Sequence, residues 1–183
     1  MASSLNLGID GRFHRGFRLE CFALKVEAGH SFVAMLKLCI QNLLESLAMK
    51  NKFELELVDV KKIAAAAEAE ALKNKWPVTI SIVDDGGHLL WLQRLDGAAP
   101  ISSHIAPAKA RSAAVGRKDT KAFEDMINNG RNAFLSAPFV DGLLEGGVVI
   151  VKDGQVLGAV GVSGVKAAED AQVAAAGIAA LGL

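Results

Sequence analysis

The chain has 183 residues, of which 51% are hydrophobic and 22% charged, and 20 Lys and Arg residues balance 20 Asp and Glu residues. This composition is typical of a folded globular protein and excludes an intrinsically disordered one. A net charge of zero disfavours nucleic-acid and anionic-membrane partners, and no apolar run reaches the roughly 18 to 20 residues that cross a bilayer.

The N-terminal quarter of the chain differs in composition from the rest. Four of the eight phenylalanines lie there, whereas the alanine-rich stretches begin only at Ala64. Met49 opens a segment that reads like the natural start of a domain. We therefore predict a non-native extension at residues 1–48, arising from an overextended start site, and a domain at residues 49–183. The alternative is a native helix over residues 32–47 that packs on the domain or on a second subunit.

Cysteine and histidine usage bears on compartment and metal content. Both cysteines, Cys21 and Cys39, precede the predicted domain, which retains two histidines, His88 and His104. A structural zinc site in the domain is disfavoured, because such sites need clustered Cys and His ligands. Two cysteines without a recognisable signal peptide predict a reducing compartment and a cytoplasmic location.

The first elements of the predicted domain are a helix and a hairpin. Apolar residues recur at helical spacing over residues 60–74, and Asp59 is suited to cap that helix. Residues 78–82 alternate between apolar and polar side chains, which is typical of a strand. The turn residues at 84–87 then lead into a second β-rich run at 88–95. These two runs predict an antiparallel hairpin.

Two helices are predicted to follow the hairpin. Ser102 or Ser103 is suited to cap a helix over residues 102–116, whose first turn tolerates Pro107. Thr120 is suited to cap a second, shorter helix.

A second hairpin and a last helix complete the domain. Residues 148–152 and 155–162 flank an Asp-Gly pair at 153–154, which matches the turn type favoured by hairpins. Residues 168–181 return to an alanine-rich helical pattern. Two hairpins separated by helices cannot form a parallel sheet, so the order predicts an α+β, two-layer domain with a central antiparallel sheet and flanking helices.

Polar side chains concentrate between the first hairpin and the helix after it. Arg94 can clamp a carboxylate, Lys109 can add a positive charge, and Asp96 and Arg111 lie close by in the sequence. His104, near a helix start, is a candidate proton shuttle or iron ligand. The alternative is a solvated polar rim around the loop.

The glycine-rich segment 158–164 precedes the last helix. It lacks the Gly-Lys-Ser/Thr of a phosphate loop and the βαβ unit of a dinucleotide site, so both nucleotide functions are excluded. The N–H groups around Ser163 and Gly164 are candidates for binding a carboxylate. The alternative is that the glycines allow close approach of strand and helix. His88, directly after a turn, is interpreted as structural or exposed.

Five segments, taken in order, resemble the GlcG/HbpS-like family, which includes GlcG, the haem-binding HbpS proteins and the C-terminal domain of PduO-type adenosyltransferases. The segments are residues 82–88 (IVDDGGH), 94–98 (RLDGA), 108–113 (AKARSA), 145–148 (EGGV) and 153–164 (DGQVLGAVGVSG). The likeness runs from about residue 55 to the C-terminus. It departs from the family at Val149, where proline is common.

The resemblance implies a profilin- or PAS-like fold and a homo-oligomer, but it fixes no activity. One hypothesis is a haem-binding module in which Arg94 or Lys109 pairs with the propionates and His104 ligates the iron. A second is a hydrolase or deaminase for a small carboxylic acid, held by Arg94, Lys109 and the Ser163 and Gly164 amides, with His104 in acid–base catalysis. A third is an oligomeric accessory protein without chemistry.

Overall fold

The computed structural model describes residues 36–37, 40–41 and 52–183. The four described residues of the N-terminal quarter are helical, and they fall within the stretch 32–47 for which a native helix was the alternative. The rest of that stretch lies outside the described residues. The division into an extension at 1–48 and a domain at 49–183 therefore stays a prediction.

The first helix of the folded unit, α1, spans Leu57–Asn74 and begins earlier than its sequence pattern predicts. The predicted cap, Asp59, instead lies in the first turn, where its carboxylate accepts a hydrogen bond from the Glu56 N–H at 3.2 Å. This reciprocal arrangement with Glu56 is a capping box. The helix ends at Asn74, and the residue after it, Lys75, has left-handed backbone angles.

Four strands form one antiparallel sheet. They are β1 at Thr79–Asp84, β2 at Leu89–Arg94, β3 at Gly147–Lys152 and β4 at Gln155–Ser163. Their order across the sheet is β2-β1-β4-β3, so both predicted hairpins are present and the two edge strands are β2 and β3. The α+β class with a central antiparallel sheet is confirmed.

The remaining helices are α2 at Ser102–Gly116, α3 at Thr120–Asn128 and α4 at Ala167–Ala179. The order of helix, hairpin, two helices, hairpin and helix follows the prediction. A short 3₁₀ helix at Asn132–Ser136, which no sequence pattern predicted, follows α3. Pro107 lies in the second turn of α2 instead of the first, so the carbonyl of Ser103 lacks its usual helical donor.

Helices pack on both faces of the sheet, which makes the sheet the middle layer of three where the sequence predicted two layers. On one face, α1 and α4 pack against β1 and β4 through a cluster that includes Ile80, Ile82, Val160 and Val162. On the other face, α2 packs against Val83 and Ala159. The polar residues of β1, Thr79 and Ser81, look solvent-facing in the alternating pattern but are fully buried beneath α2.

Close approach between α2 and β4 depends on Gly161. A Cβ at this position would lie 2.1 Å from the carbonyl oxygen of Ala106 and 2.5 Å from the backbone nitrogen of Ala110. Real Cβ atoms essentially never come so close to backbone, so only glycine fits. The interpretation of the 158–164 segment as permitting close packing of strand and helix agrees with this contact.

Candidate functional site

Helix α2 carries its predicted functional residues on two different sides. Lys109 points into the interior, where only 3% of its side chain is exposed. Its Nζ lies 2.8 Å from Oδ2 of Asp170 on α4 and donates to the carbonyl oxygen of Val162 at 3.0 Å. A Cβ on Gly146 would lie 2.7 Å from the same nitrogen, so the chain closes tightly around it.

Asp170 completes this buried pair. Its Oδ1 accepts a hydrogen bond from the Val165 N–H at 3.2 Å. Burial raises the pKa of the Asp170 carboxyl above its usual value, although the Lys109 ammonium and the Val165 N–H both favour the ionised form. The predicted positive charge of Lys109 is thus matched within the fold, and it links α2, β4 and α4.

The other side of α2 is exposed and lies next to β2. His104, Arg111 and Val115 occur at i, i+7 and i+11, a spacing that puts them on one flank of a helix. A Cβ on Gly87 would lie 2.8 Å from Arg111 Cγ and 3.1 Å from Val115 Cγ2, so the β1–β2 turn packs against this flank. His104, Arg111 and Val115 are all exposed.

Three exposed residues of β2 share the face of the sheet that α2 covers. Arg94 pairs with Thr79, and Leu92 pairs with Ser81. Leu89 pairs with Val83, which packs directly against α2. Cross-strand partners point to the same face of a sheet, so these β2 side chains lie beside the exposed flank of α2. We call this the β2–α2 surface, and it comprises Leu89, Leu92, Arg94, His104, Arg111 and Val115.

Two hydroxyl groups anchor α2 to β1 behind this surface. Oγ1 of Thr79 lies 2.6 Å from Oγ of Ser102, which in turn lies 2.6 Å from the carbonyl oxygen of Ala99. Ser81 Oγ is also buried, and it has no hydrogen-bond partner among the described residues. The start of α2 is therefore held in place by a polar contact in the core.

Asp96 lines a separate groove. It follows β2 and is exposed, and together with residues at the end of α1 it borders a groove of about 330 Å³. The other lining residues are Glu68, Ala71, Leu72, Lys75, Trp76, Pro77 and Leu95. Of the predicted cluster, Arg94 and His104 share a surface, whereas Asp96 borders this groove and Lys109 lies inside.

The segment at Ser163 and Gly164 leads into α4. Ser163 is buried, and the two amides that follow Gly164 already have partners. The Val165 N–H donates to Asp170, and the Lys166 N–H donates to Glu169 at 3.2 Å. The ligand-binding role of Ser163 and Gly164 stays a prediction.

A histidine and a carboxylate meet in the β1–β2 turn, which the sequence interpretation of His88 did not anticipate. Nδ1 of His88 lies 2.9 Å from Oδ2 of Asp84, and Oδ1 of Asp84 also accepts from the N–H groups of Gly86 and His88. Burial opposes ionisation of Asp84, but the hydrogen bonds from His88 and Gly86 outweigh it and hold the pKa of its carboxyl below the usual value.

This pairing fixes the His88 ring. An ionised carboxylate only accepts hydrogen bonds, so Nδ1 carries the proton and the lone pair of a neutral ring is on Nε2. The side chain is 82% exposed. Beside it, a pocket of about 190 Å³ is lined by Asp84, Leu90, Lys52 and their neighbours. The Asp-x-x-x-His spacing across a glycine turn is the signal that would have revealed the pair.

Metal and membrane features were sought within residues 36–37, 40–41 and 52–183. These ranges contain no group of three His, Cys, Asp or Glu side chains placed to hold a metal ion. None of the helices in them has the length and apolarity that a bilayer crossing requires.

Comparisons with known proteins match most of the folded unit. A family model described as haem-degrading protein HbpS-like matches residues 55–179. The protein GlcG of Escherichia coli strain K12 is 54% identical over 115 residues, which cover 63% of this chain and 85% of GlcG. The corrinoid adenosyltransferase PduO of Salmonella typhimurium is 29% identical over 126 residues, which cover 67% of this chain and 38% of PduO.

Solved structures with the same fold include two described by these names. A double mutant of Streptomyces reticuli HbpS is 29% identical, with a TM-score of 0.67, over 74% of this chain and 92% of that structure. A complex of PduOC with haem is also 29% identical, with a TM-score of 0.62, over 70% of this chain and 95% of that structure.

Proposed function

The chain belongs to the HbpS-like family, and on this premise we propose that it binds haem or a related tetrapyrrole through the β2–α2 surface. The observation that carries the proposal is the composition of this surface. It combines exposed apolar side chains, two guanidinium groups and an exposed imidazole on one side of the fold. The haem in the PduOC complex supports a tetrapyrrole as the class of ligand.

The apolar part of the surface suits the porphyrin ring. Leu89, Leu92 and Val115 are each roughly half exposed, although large aliphatic side chains usually lie inside a protein. Contact with a flat apolar ring removes this area from water, which favours binding. The three side chains supply the contact that holds the ring.

The charged part of the surface suits the propionates. Arg94 and Arg111 present planar guanidinium groups, which bind carboxylates through paired hydrogen bonds. Arg111 now lies 3.6 Å from Asp141, and both side chains are about half exposed. Such an exposed pair is weak, so Arg111 can exchange Asp141 for a propionate.

His104 is the proposed iron ligand of the surface. It lies on the same flank of α2 as Arg111, and a neutral imidazole is a common ligand of haem iron. When bound, haem supplies a redox-active iron, while the residues of this chain orient the ring and hold its propionates. Lys109 lies in the interior and is not part of this site.

Titration of the full chain with hemin, followed by the Soret band, tests the proposal. We expect a saturable Soret shift. His104→Ala should change the position of the Soret band. Arg94→Ala should weaken the affinity for hemin about tenfold, which corresponds to the loss of one charge-assisted contact. His88→Ala and Lys61→Ala are the controls, because they remove an exposed histidine that is not one of the six surface residues and an exposed lysine on α1. No Soret shift, or identical spectra for His104→Ala and the unmodified chain, would contradict the proposal.

A second candidate function is a hydrolase or deaminase acting on a small carboxylic acid. The specific observation in its favour is the Asp84–His88 pair, because a histidine oriented by a carboxylate is suited to general-base catalysis. Lys52, which lines the adjacent pocket, pairs with Asp85 at 2.8 Å, so a carboxylic acid would have to replace Asp85 as its partner. Turnover of a dicarboxylate that is lost in His88→Ala and kept in His104→Ala would support this candidate over haem binding.

A further inference from the structure

The groove beside Asp96 has the size of a small-ligand site. Its volume is about 330 Å³, within the range of roughly 300–1,000 Å³ that is typical of small-molecule pockets. It lies between the end of α1, the Trp76–Pro77 segment and the residues that follow β2. The six residues of the β2–α2 surface do not line it, so the proposed haem site leaves it unused. We call it the Trp76 groove.

The inner part of the Trp76 groove is apolar and well supported. Trp76 and Leu95 line it and also pack against the core cluster between the sheet and α1. The Trp76 N–H donates to the carbonyl oxygen of Ala71 at 2.9 Å, which ties this segment to the end of α1. Leu72, in the last turn of α1, adds a side chain that is 61% exposed. The groove therefore offers a rigid aromatic and aliphatic contact to an apolar ligand body.

Two carboxylates border the same groove without partners. Among the described residues, neither Glu68 nor Asp96 takes part in an ion pair or a side-chain hydrogen bond. Glu68 is half-buried, and burial makes an unpaired charge more costly. By contrast, the carboxylates of Asp84 and Asp170 are both held by partners within the fold. A cation that enters the Trp76 groove thus meets two acceptors that the fold does not use.

The remaining charge at the groove leaves it with a preference for cations. The described lining includes one basic residue, Lys75, which is exposed and forms no ion pair with either carboxylate. The two carboxylates outnumber this ammonium. The groove also lies at the C-terminal end of α1, where the carbonyl groups of a helix carry partial negative charge.

We propose that the Trp76 groove binds an arylalkylamine, that is, a primary ammonium joined to an aromatic ring. The ring packs against Trp76 and Leu95, since aromatic pairs gain from contact beyond the area they bury. The ammonium donates to Glu68 and Asp96, which only accept hydrogen bonds when they are ionised. Tryptophan is also the aromatic side chain that attracts cations most strongly. This inference goes beyond the proposed haem site and does not depend on it.

Three probes with one ring and different charges test the proposal. The full chain is titrated at neutral pH with 2-phenylethylammonium, 2-phenylethanol and phenylacetate, and tryptophan fluorescence is followed. We expect saturable binding of the ammonium, at least about tenfold tighter than that of the neutral alcohol. Phenylacetate should bind more weakly than either. Equal affinity for the three probes, or no saturable binding of the ammonium, would overturn the proposal.

Variants that change one charge locate the ammonium. Glu68→Gln and Asp96→Asn should each weaken binding of 2-phenylethylammonium about tenfold and leave that of 2-phenylethanol unchanged. Lys75→Gln should tighten binding of the ammonium, a gain that a damaged fold would not produce. Glu145→Gln and Asp153→Asn are the matched controls, because these acids do not line the groove. The same ammonium affinity in all five variants would overturn the proposal.

The two tryptophans of the chain give an independent location. Trp91 does not line the groove, and Trp91→Phe leaves Trp76 as the sole tryptophan in the sequence. The fluorescence change on adding 2-phenylethylammonium should persist in this variant, whereas its loss would show that the amine binds elsewhere. The Soret titration with hemin is a separate measurement, so failure of amine binding and failure of haem binding are distinguishable.

Discussion

Positively charged side chains on the two sides of α2 have opposite environments. Lys109 and Arg111 are two residues apart, yet Lys109 is buried at 2.8 Å from Asp170, whereas Arg111 is half exposed at 3.6 Å from Asp141. The difference follows from the turn of the helix, because residues two apart point to different sides. The charge of Lys109 is paired inside the fold, whereas Arg111 makes only an exposed ion pair that a ligand can replace.

Removal of Lys109 gives the largest expected effect. Lys109→Ala leaves Asp170 buried without its partner, and such losses cost about 3–5 kcal/mol of the free energy of unfolding. Urea unfolding of the variant and of Arg111→Ala measures the contrast directly. Equal costs for Lys109→Ala and Arg111→Ala would show that the two sides of α2 do not differ as described.

Two further variants separate the charge from the packing of Lys109. Lys109→Met keeps most of the side-chain volume, so its loss of stability reports the unpaired carboxylate. The Asp170 carboxyl has a raised pKa in the folded state. Its protonation therefore stabilises the protein below the pKa that this carboxyl has in the unfolded chain, and this stabilisation is lost as pH rises through its pKa in the folded state. Lys109→Met should therefore recover stability on acidification. Lys109→Met combined with Asp170→Leu should recover most of it at neutral pH.

Gly161→Ala tests the inner side of α2 through its backbone contact. The new Cβ would meet the Ala106 carbonyl at 2.1 Å, so the helix must lift from β4. Overpacking of this kind costs about 3 kcal/mol. Thermal unfolding against Gly154→Ala is the comparison, because Gly154 has no neighbour within 4 Å and reports only the cost of its positive φ of 75°.

Ser102→Ala has a smaller expected effect on the same side. It removes the partner of the buried Thr79 hydroxyl, which lies 2.6 Å away, and an unsatisfied buried hydroxyl costs about 1–3 kcal/mol. The double variant with Thr79→Val removes both polar groups and should be less destabilised than the sum of the two single changes. Additive losses in urea unfolding would contradict a direct bond between them.

Arg111→Ala is expected to have the smallest effect on stability. An exposed pair such as Arg111–Asp141 contributes about 0–1 kcal/mol, so the urea midpoint should hardly move. The affinity for hemin should nevertheless fall, because the outer side of α2 contributes to the proposed site. A variant that loses stability and keeps its hemin affinity would reverse the roles assigned to the two sides.

Local patterns were sufficient to predict the four strands, the α-helices and the pairing within each hairpin, but not the pairing of β1 with β4. The Asp-Gly pair at 153–154 and the glycine turn at 84–87 indicated two hairpins, and both are present. Element ends were less accurate, as at α1, because a capping box moves the start of a helix by a few residues. The layer count differed because Thr79 and Ser81 look solvent-facing in a strand pattern, although α2 covers them.

The site was predictable only where neighbours in sequence are also neighbours in space. Arg94 and His104 were grouped from their proximity in the sequence, and both are exposed, while their shared role in a site stays a prediction. The partner of Lys109 is 61 residues away, so no local pattern could show that its charge is matched. His88 was interpreted as structural or exposed from its place directly after a turn, whereas its spacing from Asp84 across the glycine turn is the signal for the pair.

The glycine contact between β4 and α2 also determines which amino-acid substitutions the protein tolerates. At Gly161 the backbone of the helix rests directly on the backbone of the strand, with no side chain between them to compress or repack. Substitutions at Ala106 and Ala110, which meet Gly161, must therefore keep the size of alanine. Sequence diversity is free to accumulate on the outer side, and so a directed-evolution library aimed at new ligands should vary the outward residues of α2 while leaving Ala106, Ala110 and Gly161 unchanged.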